Sequence, residues 1–294
     1  MLTALLGLCT AVTYGAADFF AAIASRKIRV VEVTALASLS GLVILLLLLP
    51  FMGGSFSTGS FFWGLMGGLS SVVALLCLYA SLALGPISII SPLGALVSAI
   101  VPAVIGVSFL GESFTVLGWV AIAIALVAVV LVGFVPPSSK NGEQVLLPKP
   151  RAIVLAIGAG VGIGIAVSSL ARSPHDSGIA PIIIMRTTAA LLLGAIVLIT
   201  ALRQRKSSTV STRSPITSKI LLTIMGAGAL DAAANIFFTL ASRTGSLTVV
   251  GVLTALYPLG TILLARLVLK EHVATTQKIG VALTLTASLL LALA

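Results

Sequence analysis

Three ionisable residues interrupt otherwise apolar stretches of this chain: Asp18, Arg186 and Asp231. A charge at the centre of a bilayer costs ~2.5–3.5 kcal/mol on insertion scales, so each needs a partner or a purpose. Asn235 follows Asp231 one helical turn on, which puts both on one face of a helix. Two readings stand side by side. In the first, Asp231, Asn235 and Asp18 face a polar cavity and bind substrate or a coupling proton, while Arg186 fixes an anionic group or holds a carboxylate ionised. In the second, Arg186 and a carboxylate form a buried ion pair that locks two helices together, with Asn235 satisfying the remaining lone pairs. Asp18 lies seven residues from Ser25, near enough to the end of its run to be solvated at the interface instead. Asp231 sits nearer the middle of its own run, so within the first reading it is the favoured acid. Asn235 would then share its hydrogen bond to substrate or steady its carboxylate, and Arg186 would tune it.

Other residues bear on the same cavity. Tyr257 lies deep in a run beside Pro258, and Tyr14 lies within the first run; both are candidates for its wall. Pro92, Pro102 and Pro258 each remove a backbone N–H inside a span, freeing a carbonyl for a hinge or a cavity lining. Glu112 and Glu271 stand at equivalent run ends and read as helix-terminal charges. His175 and His272 fall in connections without ligand spacing, so no metal site is expected. The string Gly158-Ala159-Gly160-Val161-Gly162-Ile163-Gly164 contains a GxGxxG-like pattern, but inside an apolar run with no strand before it. A dinucleotide loop is therefore rejected, and the small residues are expected to admit a neighbouring helix or border a cavity. No cofactor is implied.

These residues must be positioned by membrane helices. The chain has 294 residues, 59% hydrophobic and 8% charged, with mean hydropathy +1.25. A soluble domain carries about a quarter charged residues, so this chain lacks the polar surface that water demands. Ten apolar runs appear: 2–25, 30–52, 61–84, 87–110, 114–135, 152–171, 179–202, 216–242, 247–269 and 273–294. Each approaches the ~20 residues a helix needs to cross the hydrocarbon, and no period-2 alternation suggests a barrel. The first run is read as a retained span rather than a signal peptide, having no basic segment ahead of it and Asp18 inside it. Cys9 and Cys77 lie within runs and read as packed small side chains rather than a disulfide. The short connections predict that helices adjacent in sequence are antiparallel packing partners. Trp63 and Trp119, near run ends, are expected as interfacial anchors.

A duplication organises the runs. Sliding the chain by 160 positions matches Gly85 with Gly245, Leu93 with Leu253, Ala95 with Ala255 and Leu96 with Leu256; one deletion later Glu112 meets Glu271. Five spans is an odd number, so the second copy of a five-span unit enters the membrane upside down. The expected fold is all-α, with ten transmembrane helices in two inverted five-helix repeats. The first unit covers 1–135 and the second 151–294, joined by a connection over 136–150.

The net charge of +10 is not a nucleic-acid signature, because Lys and Arg sit in connections without aromatic interleaving. Fourteen of them follow odd-numbered runs, among them Arg26, Lys27, Arg29 and Lys140, whereas only Arg172 and Arg243 follow even-numbered ones. The positive-inside rule then places both termini outside and the 136–150 connection in the cytoplasm, at the plasma (inner) membrane.

The ten spans in two halves, Leu110-Gly111-Glu112, and Tyr257-Pro258 followed by Lys270-Glu271 resemble the EamA family of the drug/metabolite transporter superfamily. Tyr14-Gly15-Ala16-Ala17-Asp18-Phe19, Met185-Arg186 and the segment from Leu82 to Pro86 add to the likeness. Ala99 stands where the second half has Pro258, and no basic residue of the second run answers Arg186. The resemblance implies transport rather than catalysis, and termini on the cytoplasmic side, opposite to the charge count. The expected function is a secondary transporter moving a small metabolite, amino acid or drug-like molecule by alternating access, coupled to protons or working by exchange. A flippase for lipid-linked carriers on the same fold, or a channel or other non-transport module, is the alternative. No Walker loop, HExxH or Ser-His-Asp grouping points to ATP or to hydrolysis. The expected partners are a small-molecule substrate and the lipid bilayer, for a monomer or homodimer.

Overall fold

The structure is a computed structural model that describes residues 1–82, 84, 87–133, 149–206, 216–268 and 274–293. The connection over 136–148, the Gly85-Pro86 turn, residues 207–215, and Lys270, Glu271 and His272 lie outside the described residues, as does the side chain of Pro92.

Helices occupy all ten apolar runs. They are α1 (Leu2–Ser25), α2 (Val30–Met52), α3 (Thr58–Leu82), α4 (Ile87–Phe109), α5 (Val116–Gly133), α6 (Pro150–Ala171), α7 (Ala180–Lys206), α8 (Ser218–Thr244), α9 (Leu247–Thr254), α10 (Pro258–Val268) and α11 (Thr275–Leu293). Among the described residues seven spans are long and apolar enough to cross a membrane, and Leu93–Phe109 and Val116–Val132 are shorter apolar helices. The starts have local causes. Pro150 opens α6, where its missing N–H has no partner to lose. Thr217 and Ser246 cap α8 and α9, accepting from the backbone N–H of Ile220 and Val249.

The ninth run is not one helix. Pro258 cannot donate to Thr254 and disfavours helical geometry at Tyr257. The chain therefore tightens through 255–257 into i→i+3 bonds: Leu256 N–H to Leu253 O at 3.1 Å, Tyr257 N–H to Thr254 O at 3.0 Å, and Gly260 N–H to Tyr257 O at 3.0 Å. Pro102, by contrast, is carried within the continuous helix α4, as is the backbone of Pro92.

Packing departs from the expectation for neighbours. Sequence-adjacent helices touch little, α4 with α5 excepted. Instead α1 packs chiefly on α8, α3 on α6 and α7, α4 on α6 and α9, α2 on α7 and α8, and α5 on α11. Short connections fix the direction of a helix but not its partner. Partners are chosen where small residues let backbones approach, since lipid gives apolar side chains no reason to prefer protein. A Cβ on Gly160 would lie 2.6 Å from Gly94 O and from Val97 Cβ; one on Gly162, 2.8 Å from Ala74 Cβ; and one on Gly164, 2.5 Å from Val101 Cβ. Those glycines seat α6 against α3 and α4. Gly41 and Gly228 do the same between α2 and α8, and Gly15 and Gly260 between α1 and α10. The buried apolar side chains form two main clusters, one about α1, α4, α5, α9 and α11, the other about α2, α6, α7, α8 and α9.

One end of the bundle is tied across by its connections. Gly54 bridges Gly178, with Ser55 N–H donating to Ser177 O and Ile179 N–H to Gly53 O, both at 3.2 Å. Arg243 Nη2 donates to Gly178 O at 3.2 Å and to Pro174 O at 3.4 Å. Thr3 Oγ1 donates to Thr244 O at 3.1 Å. Glu112 completes the set: its carboxylate accepts from Ser246 Oγ at 2.7 Å, Leu247 N–H at 2.6 Å and Thr248 N–H at 3.1 Å. It therefore caps the free N–H groups of α9, where the helix dipole also favours a negative charge.

Candidate functional site

The crossings of helices from both halves leave a cavity of ≈ 300 Å³ near the middle of the bundle. Tyr14 and Asp18 on α1, Ser71 on α3, Arg186 on α7, Asp231 on α8, and Thr254 and Tyr257 at the break after α9 supply most of its polar wall. Val72, Leu75, Leu78, Val167, Met185 and Leu193 supply apolar wall. The lining residues of α1, α2 and α3 fall in the helix halves nearer the Arg26–Arg29 turn, whereas those of α6, α7 and the ninth run fall in the halves nearer the tied end. A larger depression of ≈ 690 Å³ sits at that opposite surface against Arg26, Lys27 and Arg29, and holds none of the candidate site residues.

Five of the six substrate or coupling candidates thus meet at one cavity. Arg186 Nη2 and Asp231 Oδ2 form an ion pair there, with the side chains 12% and 26% exposed. Asp231 is therefore compensated, and its guanidinium partner comes from α7, which hardly touches α8 otherwise. Asp18 lies in the cavity wall; no cation of the described residues pairs with it. Ser71, the register counterpart of Asp231, lines the same cavity and donates to Gly68 O at 2.8 Å.

Asn235 does something other than what its spacing suggests. It is fully buried behind the cavity. A side chain four residues on leans back along the helix, so its Nδ2 reaches the main-chain Asp231 O at 2.7 Å and not the carboxylate. Its Oδ1 accepts from Tyr14 Oη at 2.9 Å. The amide thereby fixes Tyr14, and α1, against α8.

Two buried side-chain polar atoms of the cavity residues have no hydrogen-bond partner among the described residues: Arg186 Nε and Thr254 Oγ1. Sequence reasoning passed over Thr254. The signal available was its position four residues before Pro258, whose missing N–H leaves that turn of helix irregular. Of the hinge candidates, Pro258 borders the break beside the cavity, while Pro102 packs within 2.5 Å of where a Cβ on Gly251 would stand, joining α4 to α9. Trp63 and Trp119 lie at the tied end, Trp63 with the Arg172 guanidinium 5.5 Å from its ring centre.

A model of the EamA-like transporter family matches residues 1–134 and 150–293. Among solved structures 29 chains match. One, described only as "Crystal structure of protein", superposes with a TM-score of 0.74 over 99% of this chain and 96% of its own, at 15% identity, a likeness that speaks to fold alone. No curated protein matches.

Proposed function

The chain belongs to the EamA-like transporter family, and from that premise we propose that it is a secondary transporter whose central cavity binds a small metabolite, amino acid or drug-like molecule and presents it to the two sides in turn. The observation that carries the reading is the cavity itself, formed where helices of both halves cross and holding the Arg186–Asp231 pair. Charged side chains in a bilayer cluster on substrate and ion pathways.

The two halves are read as inverted repeats over 1–135 and 151–294. Three observations support this: the family model matches two ranges of similar length, the register at 160 positions pairs their residues, and the packing partners exchange consistently. Under that exchange α1 on α8 becomes α6 on α3, α2 on α8 becomes α7 on α3, and α1 on α9 and α10 becomes α6 on α4. Rocking one unit against the other then opens the cavity to alternate sides. Asp231 binds substrate or carries the coupling proton, and Arg186 is released or re-formed as its partner during the cycle.

The test is transport in proteoliposomes. Saturable flux with trans-stimulated counterflow is expected, driven by an imposed proton gradient and lost on Asp231→Asn. Non-saturating flux without counterflow would mark a channel, and movement restricted to lipid-linked carriers would mark a flippase.

A further inference from the structure

The charges of the cavity do not balance. In this conformation Arg186 pairs with Asp231, leaving Asp18 as a second carboxylate with no cation or hydrogen-bond donor of the described residues on it. Asp18 is exposed, and the cavity wall is where it stands. Thr254, only 7% exposed, lines the same cavity with a hydroxyl that bonds to nothing. The remaining wall is largely apolar, and the tyrosines Tyr14 and Tyr257 flank the acid.

We propose that the cavity selects a monovalent organic cation: a protonated amine on an apolar body, its ammonium on Asp18 and a hydrogen-bonding group within reach of Thr254. The physical basis is compensation. An unpaired carboxylate among apolar helices is costly while ionised, and one monocation compensates it without a proton being taken up, while the apolar body covers Val72, Leu75 and Leu193. An anion would add a second uncompensated charge. A neutral molecule would leave the first. The size is appropriate, because ≈ 300 Å³ accommodates a single-ring amine. This inference rests on the cavity being the transport site.

The experiment compares matched probes of one shape: phenethylamine, 2-phenylethanol and phenylacetate, each tested for thermal stabilisation of the purified full-length protein and for counterflow in proteoliposomes. Phenethylamine is expected to stabilise the protein, with at least a tenfold weaker apparent affinity in Asp18→Asn and retention in Asp18→Glu, while phenylacetate does not stabilise it. Thr254→Val separates the second contact: it is expected to weaken 2-amino-1-phenylethanol more than phenethylamine. Stabilisation by the amine that is equal in wild type and Asp18→Asn, preference for the acid or alcohol, or no stabilisation by the amine would each overturn the cation assignment. The two readings fail separately. Counterflow of acids or neutral solutes alone keeps the transporter and removes the cation site, whereas Asp18-dependent binding of the amine without any flux keeps the cation site and removes the transporter.

Discussion

Asp231 and Arg186 bring the two sequence readings together, because the ion pair sits in the wall of the cavity instead of being sealed between helices. Removing one member leaves the other uncompensated in a largely apolar setting, and a charged hydrogen bond of this kind is worth on the order of 1.5–3 kcal/mol. Arg186→Gln is therefore expected to lower the melting temperature in detergent. Asp231→Asn is expected to lower it less, since the amide still accepts from the guanidinium, and the double variant should recover part of the loss. A double-mutant cycle with no coupling would show that the pair contributes nothing to stability. Tyr14→Phe removes the donor to the buried Asn235 Oδ1, and a buried acceptor left unsatisfied costs about 1–3 kcal/mol. Its expected signature is a lower melting temperature that Tyr14→Phe combined with Asn235→Leu does not worsen additively. The types of these residues were legible in the chain, because a charge inside an apolar run is conspicuous. Their partners were not. Tyr14 and Asn235 lie 221 positions apart, and nothing local to either announces the other. The spacing of Asp231 and Asn235 predicted a shared face, which holds, but the backward lean of helical side chains sends the amide to the main chain.

At the scale of elements, glycine decides how α6 is held. Gly160 and Gly162 leave no room for a side chain, the nearest atoms belonging to the backbone and Cβ atoms of α3 and α4. Leucine at either position must push two helices apart, so Gly160→Leu and Gly162→Leu are expected to cut the folded yield severalfold in size-exclusion profiles of detergent extracts. Gly194, with open space about its Cα, is the control, and Gly194→Leu should express as wild type does. Glu112 works on another element, holding the first turn of α9 through three hydrogen bonds. Losing a cap costs roughly 0.5–2 kcal/mol. Glu112→Ala should therefore lower the melting temperature, and Glu112→Gln by less. The small-residue stripe of α6 was readable from sequence, as was an interruption at Pro258. The cap was not. A glutamate after Leu110-Gly111 reads as an ordinary terminal charge, and the helix it caps begins 135 positions later.

At the scale of the whole molecule, the spans could be counted from apolar runs, yet neighbours in the chain proved to be minor partners because a turn of a few residues constrains direction without supplying contact. Orientation remains a matter of charge. The connections after even-numbered spans carry only Arg172 and Arg243, and both are engaged: Arg172 over Trp63, and Arg243 on the carbonyls of Pro174 and Gly178. They act as ties of that end, so they weigh little as topology signals, and the imbalance of Lys and Arg in favour of the opposite end becomes sharper still. Both termini are proposed to be outside, which makes the tied end the outer one. The cavity-lining residues of α1, α2 and α3 lie toward the other end and those of α6, α7 and the ninth run toward the tied one. Because the tied end is closed by the hydrogen bonds of Arg243 and Glu112, the cavity is proposed to be reached from the cytoplasm in this conformation. Two measurements check the pair of statements. A reporter fused after Ala294 should read as external, and one inserted at Lys140–Gly142 as cytoplasmic. With Cys9 and Cys77 replaced by alanine, Ser71→Cys should react with a membrane-impermeant maleimide in inside-out vesicles and resist it in intact cells. A cytoplasmic C-terminal reporter with labelling in intact cells would invert the orientation while preserving one-sided access. A cytoplasmic reporter with labelling only in inside-out vesicles would instead mean that the tied end opens in the membrane, and that the hydrogen bonds of Glu112 and Arg243 do not hold the resting state closed.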